Sequence, residues 1–513
     1  MIHPALLLIL DGWGIASPGP GNVLSVVDLP AMKRFRKDDF FTKLDAAGEG
    51  VGLPAGHQGS SEMGHLMIGA GQPVVFPQNQ IKDALANQAV LTNPAYNDVM
   101  DYCHQNNKTL HLVGLLSDRG VHAYAELAYQ LLALAKIKQL QQVMIHIIAD
   151  GRDTLPTELP KFVSQLEECI KQQGVGTIAT LVGRYYAMDR DQRWERVERA
   201  YRMYREGQAD QATGIHQFLD HYYAGTNGDL PATDEFIPPT IFVSEAKMQA
   251  GDGVIFWNFR VDRAVELTQA LTEPVFTHFE RVFTNLNFVA TTAYYDEIKT
   301  PVAFGQEHIS EPLGKVLADA GARQLRVAET EKWAYITKIL DGYQEVEYPG
   351  ETKKLIPSDK VATYDLAPQM QAAKIADTII EALESEQYDV IIANFANADM
   401  VGHTANLEAT KIAVQAVDEA LNRIDQTLQK KQGFMCITAD HGNCEQMLTE
   451  SGGKHGSHTA NQVPFYVVNY NPMLVDKLNG KSFQSGSLIN VAPTLLDLMG
   501  IVIPSHMTYS LVL

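Results

Sequence analysis

Residues 5–10, ALLLIL, are continuously apolar where a strand with one wet face would alternate, and they run straight into Asp11. A run of that kind is a parallel strand covered on both faces, and open α/β sheets place their ligands at the carboxyl ends of such strands. The pattern returns along the chain: TLHLVGLL leads to His122, VMIHIIAD to Arg152 and Asp153, IATLV to Arg184 and Arg190, and VIFWNF to Arg260 and Arg263. Further on, VIIANF leads to Asp399 and His403, and FMCITA to Asp440 and His441. The expectation is an α/β chain with two strand sets. One set ends in arginine and histidine, the other in aspartate and histidine.

The arginine set matters because the chain as a whole is acidic. Its formal charge of -20 opposes general binding to nucleic acid or to an anionic membrane. Any anionic ligand must therefore be held by local positive charge, and the planar fork of arginine matches phosphate and carboxylate. The strand-end rim thus reads as a pocket for a small, multiply anionic molecule. Arg193, Arg196, Arg199, Arg202 and Arg205 read differently, because Glu195, Glu198 and Glu206 interleave with them on a helical pattern that suits a solvated, ion-paired face. Four scattered cysteines offer neither metal-ligand spacing nor a disulfide framework, so a reducing cytoplasm is expected. ALLLIL is too short for a signal peptide and lacks a basic flank, and no stretch approaches membrane-spanning length.

The second strand set gains its meaning from HQGSSEMGHLMIGAG, residues 57–71. Glycines free the backbone around Ser60 and Ser61, as in a loop that mounts an exposed nucleophile ahead of a helix. Serine is a poor nucleophile near neutral pH and needs a base or a metal. Asp11, Asp399, His403, Asp440, His441 and His458 mix carboxylates with imidazoles, a set suited to manganese, zinc or iron. With a serine oxygen, six such ligands are about what two adjacent cations need to clamp a phosphoryl group. Leu29–Leu44 is expected to be mostly helical, His455 to lie beside His458 on one loop, and Asp399 and His403 to lie on a loop. These residues leave open a metal-dependent phosphomonoesterase, a phosphosugar mutase or a non-catalytic sensor of phosphometabolites.

LLILDGWG, GSSEMGH, SDRGVHAY, ADGRDT, GRYYAMDRDQRW, WNFRVDRA, AETEKWAY, ADMVGH, TADHGN and GSHTANQVPF follow one another in this order. Together they resemble the 2,3-bisphosphoglycerate-independent phosphoglycerate mutases of the alkaline phosphatase superfamily. The resemblance implies a discontinuous, three-layer alkaline-phosphatase-like domain, residues 1–75 and 310–513, with a second α/β domain, 76–309, inserted for substrate binding. It implies interconversion of 3-phosphoglycerate and 2-phosphoglycerate through a phosphoserine on Ser61, with two divalent ions, manganese by preference, and no 2,3-bisphosphoglycerate. One ion is expected on Asp399, His403 and His458, the other on Asp11, Ser61, Asp440 and His441. Substrate is expected on His122, Arg152, Asp153, Arg184, Arg190, Arg260, Arg263 and Lys332. Ser61, Asp153 and Lys332 carry the catalytic roles, Asp153 as a base for the glycerate hydroxyls or as the residue that orients Arg152. The inserted domain is expected to close as a lid, and the protein to act as a cytoplasmic monomer without nucleic-acid or membrane partners. Tyr335 stands where the family pattern has histidine, Leu340, Asp341 and Gly342 where it has Phe-Asn-Gly, and the C-terminal MTYSLVL lacks a basic residue before its serine. Altered packing near Lys332 and the C-terminus is the expected result.

Overall fold

The structure, a computed structural model, describes residues 1–38, 40–53, 56–225, 228–295, 298–305, 309–449 and 451–513. The chain divides into two compact units, 1–75 with 307–513, and 76–306. Strands β1 (Ala5–Leu10) and β2 (Phe40–Asp45) precede the second unit. That unit contains β3 (Leu110–Leu115), β4 (Val143–Ala149), β5 (Thr177–Gly183), β6 (Asp210–Gln211), β7 (Thr240–Ile241), β8 (Gly253–Phe256) and β9 (Asn287–Ala290). The first unit resumes with β10 (Gln324–Glu329), β11 (Glu351–Ile356), β12 (Val390–Phe395), β13 (Phe434–Thr438), β14 (Val463–Asn469) and β15 (Gly486–Ser487).

The sheet of the first unit has the order β11-β10-β12-β1-β13-β14-β2-β15. From β11 to β13 neighbouring strands are parallel, whereas β14 runs antiparallel to both β13 and β2. Every side chain of β1, β12 and β13 is buried, which explains why their sequences do not alternate. β1 pairs Leu10 with Phe395 on one side and Ile9 with Thr438 on the other, so Asp11 and the segments after β12 and β13 leave the sheet at one edge. The helix Leu407–Lys430 buries Ala413, Val417, Ala420, Leu421, Ile424 and Leu428, the stripe its periodicity predicts.

In the second unit the order is β6-β7-β5-β4-β3-β8-β9. β5, β4, β3 and β8 are mutually parallel neighbours, so His122, Arg152, Arg184 and Arg260 all follow strands at one edge.

Two expectations need correction. Leu29–Leu44 is helical only over Pro30–Asp38; Phe40–Asp45 is a strand that pairs with β14. Phe35, Phe40, Phe41 and Leu44 mimic a helical stripe, but the edge offered by β14, far away in sequence, decides the conformation. Asp399 is not on a loop either, since it lies within the short helix Asn397–Gly402 and its carbonyl accepts from His403 N at 2.9 Å. One helical turn thus brings Asp399 and His403 to the same side.

Candidate active site

Ser61 opens the helix Ser61–Ala70, so the expected serine loop is in fact a helix start. Ser60 caps it by accepting from Met63 N at 3.3 Å. A Cβ on Gly64 would fall 2.4 Å from the carbonyl oxygen of Asp440, so glycine lets the first turn lie against the end of β13. The Ser61 hydroxyl donates to Asp11 Oδ1 at 3.0 Å and accepts from Lys332 Nζ at 2.7 Å, and His441 Nε2 lies 3.0 Å away. Lys332 also donates to Asp11 Oδ1 at 2.5 Å and to Asp399 Oδ2 at 2.8 Å. All five side chains are buried.

The electrostatics follow from that crowding. Burial disfavours the charged ammonium of Lys332, but Asp11, Asp399 and Asp440 outweigh it and hold the group far above its ordinary range. Burial likewise opposes charge on His441, and the same carboxylates push it up to about 10. Asp399 and Asp440 are held well below the carboxylate range: burial works against this, but Lys332 dominates at Asp399, and His441 with His65 at Asp440.

The donor set fits divalent cations. Asp399, His441 and His458 present ligand atoms that all lie within 4.8 Å of one another, and so do Asp11, Asp440 and His441. His403 Nε2 is 3.3 Å from Asp399 Oδ1 and 3.0 Å from His458 Nε2. Each Nδ1 meets a carbonyl oxygen, His403 with Gly456 at 2.8 Å, His458 with Gly59 at 3.0 Å and His441 with Gly442 at 3.2 Å. A carbonyl only accepts, so each Nδ1 carries a proton and each Nε2 faces the cluster, where a bound cation would take the place of any proton on it. Asp440 Oδ2 is buried with His65 Nδ1 3.2 Å away, but that nitrogen donates to the Ser61 carbonyl and leaves the oxygen without a hydrogen bond of its own among the described residues.

Several residues in this cluster were not anticipated. His65, one helical turn after Ser61, donates from Nδ1 to the Ser61 carbonyl at 2.8 Å, and its Nε2 lies 3.0 Å from Asn394 Nδ2. Asn394 in turn donates to Asp11 Oδ2 at 2.7 Å. Its polarity inside the otherwise apolar VIIANF was the available signal. Asn443, in TADHGN, donates to Asp399 Oδ1 at 3.2 Å. Tyr335 places its ring 5.2 Å from Lys332 Nζ and 5.5 Å from the His65 ring, and Asp341 is buried 3.5 Å from Arg326 Nη2. Of the departures from the family pattern, Tyr335 is therefore packed beside the lysine, whereas Asp341 packs against Arg326. His455, by contrast, donates to the Gln446 carbonyl at 2.8 Å and stays outside the ligand groups.

In the second unit Arg184 is the buried centre of the rim. Its Nη1 donates to Asp150 Oδ1 and Asp153 Oδ2, each at 2.6 Å, and its Nη2 to His122 Nε2 at 2.9 Å. Burial and the adjacent guanidinium push His122 down to about 4, so it is neutral near pH 7. The hydrogen bond of Asp153 goes to Arg184, and none to Arg152 stands behind the alternative expectation among the described residues. Asp262 bridges Arg190 at 2.9 Å and Arg260 at 3.2 Å, while Arg263 donates to the Met188 carbonyl at 2.9 Å. Arg152 is more exposed, 3.7 Å from Glu235. Asp150 and Asp262 lie inside the motifs ADGRDT and WNFRVDRA, where the neighbouring arginines are the stronger signal. On the helix Trp194–Glu206, Arg202 pairs with Glu198 and Glu206 as expected, whereas Arg196 and Arg199 lie over the rings of Tyr185 and Tyr186.

Asp234 packs against the rim loop, where a Cβ on Gly151 would lie 2.8 Å from its own Cβ. It accepts from Leu159 N at 2.9 Å and from the Tyr223 hydroxyl, and burial pushes its carboxyl up to about 6. That lies above the ordinary value of about 3.9, so the folded state holds the proton more tightly. Its contribution to stability is complete below about pH 4 and is lost as pH rises through about 6. Asp234→Asn is expected to remove this slope, worth about 1–3 kcal/mol. Urea unfolding of both proteins at pH 4.5 and pH 7 measures it, and an identical pH slope in the two would refute the assignment.

The first unit belongs to the class of discontinuous, mostly parallel α/β folds, with Ser61 and its charged cluster at one edge of the sheet. The comparisons narrow that class. The family described as BPG-independent PGAM N-terminus matches residues 81–296. The 2,3-bisphosphoglycerate-independent phosphoglycerate mutase of Moorella thermoacetica is 43% identical over 99% of this chain and 97% of its own length. That of Chloroflexus aggregans is 41% identical over 99% of this chain and 98% of its own. Among solved structures, a Leishmania mexicana phosphoglycerate mutase determined at low cobalt concentration is 28% identical, has a TM-score of 0.66, and is matched over 98% of its length by 100% of this chain. The chain belongs to the 2,3-bisphosphoglycerate-independent phosphoglycerate mutases, a family of isomerases.

Proposed function

We propose that this enzyme interconverts 3-phosphoglycerate and 2-phosphoglycerate through a phosphoserine on Ser61, with two divalent cations and no 2,3-bisphosphoglycerate. The observation that carries the reading is the Ser61 hydroxyl, within 3.0 Å of Asp11, His441 and Lys332 at once. Asp399, His403 and His458 would hold one cation, and Asp11, Ser61, Asp440 and His441 the other, with manganese the preferred ion. When bound, these ions lower the pKa of the serine hydroxyl and offset charge on the phosphoryl group. A relative studied in the presence of cobalt supports a divalent requirement.

The residues then divide the work. Ser61 Oγ gives up its proton to solvent and attacks phosphorus as the alkoxide, so that the Oγ–P bond forms and the bond from phosphorus to the 3-oxygen breaks; Oγ leaves again as the alkoxide in the second transfer. Lys332, already aimed at Oγ, balances the phosphoryl charge. In the second unit Arg260 and Arg263 hold the glycerate carboxylate. Arg152 and Arg190 add positive charge, and neutral His122 accepts from Arg184. Asp153, ionised beside Arg184, takes the proton of the 2-hydroxyl and passes it to the departing 3-oxygen. The 2-oxygen then attacks phosphorus, the Oγ–P bond breaks, and 2-phosphoglycerate leaves. Water must be kept from the phosphoserine for glycerate to be rephosphorylated. The reading includes action as a monomer in the cytoplasm, and the four free cysteines support the reducing compartment.

The test adds 3-phosphoglycerate to metal-stripped protein reloaded with manganese, without 2,3-bisphosphoglycerate, and follows products by phosphorus NMR. The proposal expects 2-phosphoglycerate with free phosphate near background, whereas accumulating phosphate would make the protein a phosphatase. Lys332→Gln keeps a polar group of similar reach without the charge. It is expected to lower kcat by about 10²–10³-fold with a smaller change in KM, as for loss of one preorganised donor to a transition state. A kcat within threefold of native would remove Lys332 from the mechanism.

A further inference from the structure

Glu445 is a buried carboxylate with no ion pair among the described residues, yet it accepts from four donors on three separate segments. Its Oε2 accepts from Gly14 N at 3.1 Å and Asn443 N at 2.8 Å. Its Oε1 accepts from the Thr459 hydroxyl and from Asn461 Nδ2 at 2.9 Å. Gly14 lies three residues after Asp11, Asn443 two after His441, and Thr459 directly after His458. The segments that deliver Asp11, Asp440 with His441, and His458 are thus tied to one side chain that, among the described residues, makes no hydrogen bond or ion pair with those four residues.

The carboxylate is accommodated by shape as well as by hydrogen bonds. A Cβ on Gly14 would lie 2.3 Å from Glu445 Cδ, and a Cβ on Gly442 2.3 Å from Glu445 Oε1, so both glycines are needed for the fit. Backbone bonds complete the tie: Asn443 N and Cys444 N each donate to the Gly12 carbonyl at 3.1 Å, and Thr459 N to the Gly442 carbonyl at 3.0 Å. Burying an anion without a cation is costly unless donors surround it, and here all four partners are neutral.

We infer that Glu445 is a positioning residue for the metal centre, a clamp that fixes the three ligand-bearing segments in register and so sets the affinity for divalent cations. The inference rests on the two-cation reading above. Because the clamp acts through geometry, Glu445→Gln is expected to rescue it. The amide oxygen still accepts from Gly14 N and Asn443 N, while the amide NH2 meets a Thr459 hydroxyl that rotates to accept and an Asn461 amide that flips. Glu445→Ala cuts all four ties, and Gly14→Ala pushes the carboxylate out of its slot without touching it chemically.

Titration calorimetry with Mn2+ alone, together with the electron paramagnetic resonance spectrum of the bound ion, tests this on the full chain. Native protein and Glu445→Gln are expected to agree within about fivefold in affinity and to share a spectrum. Glu445→Ala and Gly14→Ala are expected to bind at least about 30-fold more weakly, with a broadened spectrum, a loss of the size seen when supporting partners of metal ligands are removed. If folded Glu445→Ala and Gly14→Ala bind Mn2+ as the native protein does, and only the unfolding midpoint of the metal-free protein falls, the residue is merely structural and the inference is overturned. Should neither fold, Thr459→Val, which removes one donor of four, carries the test with an expected loss of about three- to tenfold, and native affinity in it overturns the inference. A native protein that binds no Mn2+ would instead remove the two-cation reading, and the inference with it.

Discussion

Ser61→Ala is expected to lower mutase activity by about 10⁵-fold or more, the size of loss seen when the nucleophile of a covalent mechanism is deleted. The magnitude rests on what the hydroxyl touches. Asp11, His441 and Lys332 are all directed at Oγ, and the substitution leaves them in place around a methyl group that forms no bond to phosphorus. A carboxylate or metal-activated water that attacked phosphorus directly would survive the change, so the variant separates a phosphoserine route from direct transfer. Acid-quenched native enzyme should carry one added phosphoryl group by intact-mass measurement, located on Ser61 by peptide mapping and absent from the variant. Turnover within tenfold of native, or a phosphoryl group mapped elsewhere, would end the phosphoserine proposal.

Removal of divalent metal is expected to be equally severe and to affect stability as well. Asp11, Asp399 and Asp440 are buried together, and Lys332 is the lysine that faces them. Such an excess of buried negative charge is unfavourable without added cations. A chelator should bring activity to background, and added Mn2+ should restore it. A ligand that binds only the folded state stabilises it by about 2.7 kcal/mol at a hundred times its Kd, so the thermal midpoint should rise as Mn2+ is returned. Full activity in protein whose measured metal content is far below one ion per chain would contradict the two-cation reading. Zinc binds such ligands more tightly than manganese, so metal content must be measured after deliberate reloading.

How much of this was legible in the sequence depended on how local each cause was. The strand ends were readable because burial of a parallel strand leaves a continuous apolar run, and the first polar residue after it marks the ligand edge. Asp11, Asp440 and Arg184 were all found that way. The four-residue spacing of Asp399 and His403 was read as a loop, although it equally fits the helical turn that joins them. β2 was misread because FFTKLD continues the apolar spacing of the helix before it, and its fate is decided by β14, more than 400 residues away. His65 and Asn394 lay inside motifs or strands already marked, yet their roles appear only once Ser61, Asp11 and Asp440 are brought together. Glu445 left no trace, because two of its four donors are backbone N–H groups and three of its four partners belong to other segments.

The placement of β1 has a consequence for biosynthesis. Its two neighbours are β12 and β13, so the strand that leads to Asp11 has no partner until residues 390–438 have been made. At about 5–20 residues per second, a ribosome takes roughly 20 to 80 s to travel from β1 to the end of those strands. Throughout that time the most apolar segment of the N-terminal portion is unpaired, while the second unit, contiguous in sequence, has everything it needs to fold. Until then, β1 of the nascent chain exposes an apolar segment that only the last third of the sequence can cover. Any product truncated before β13 lacks both a closed central sheet and the Asp440 end of the catalytic cluster.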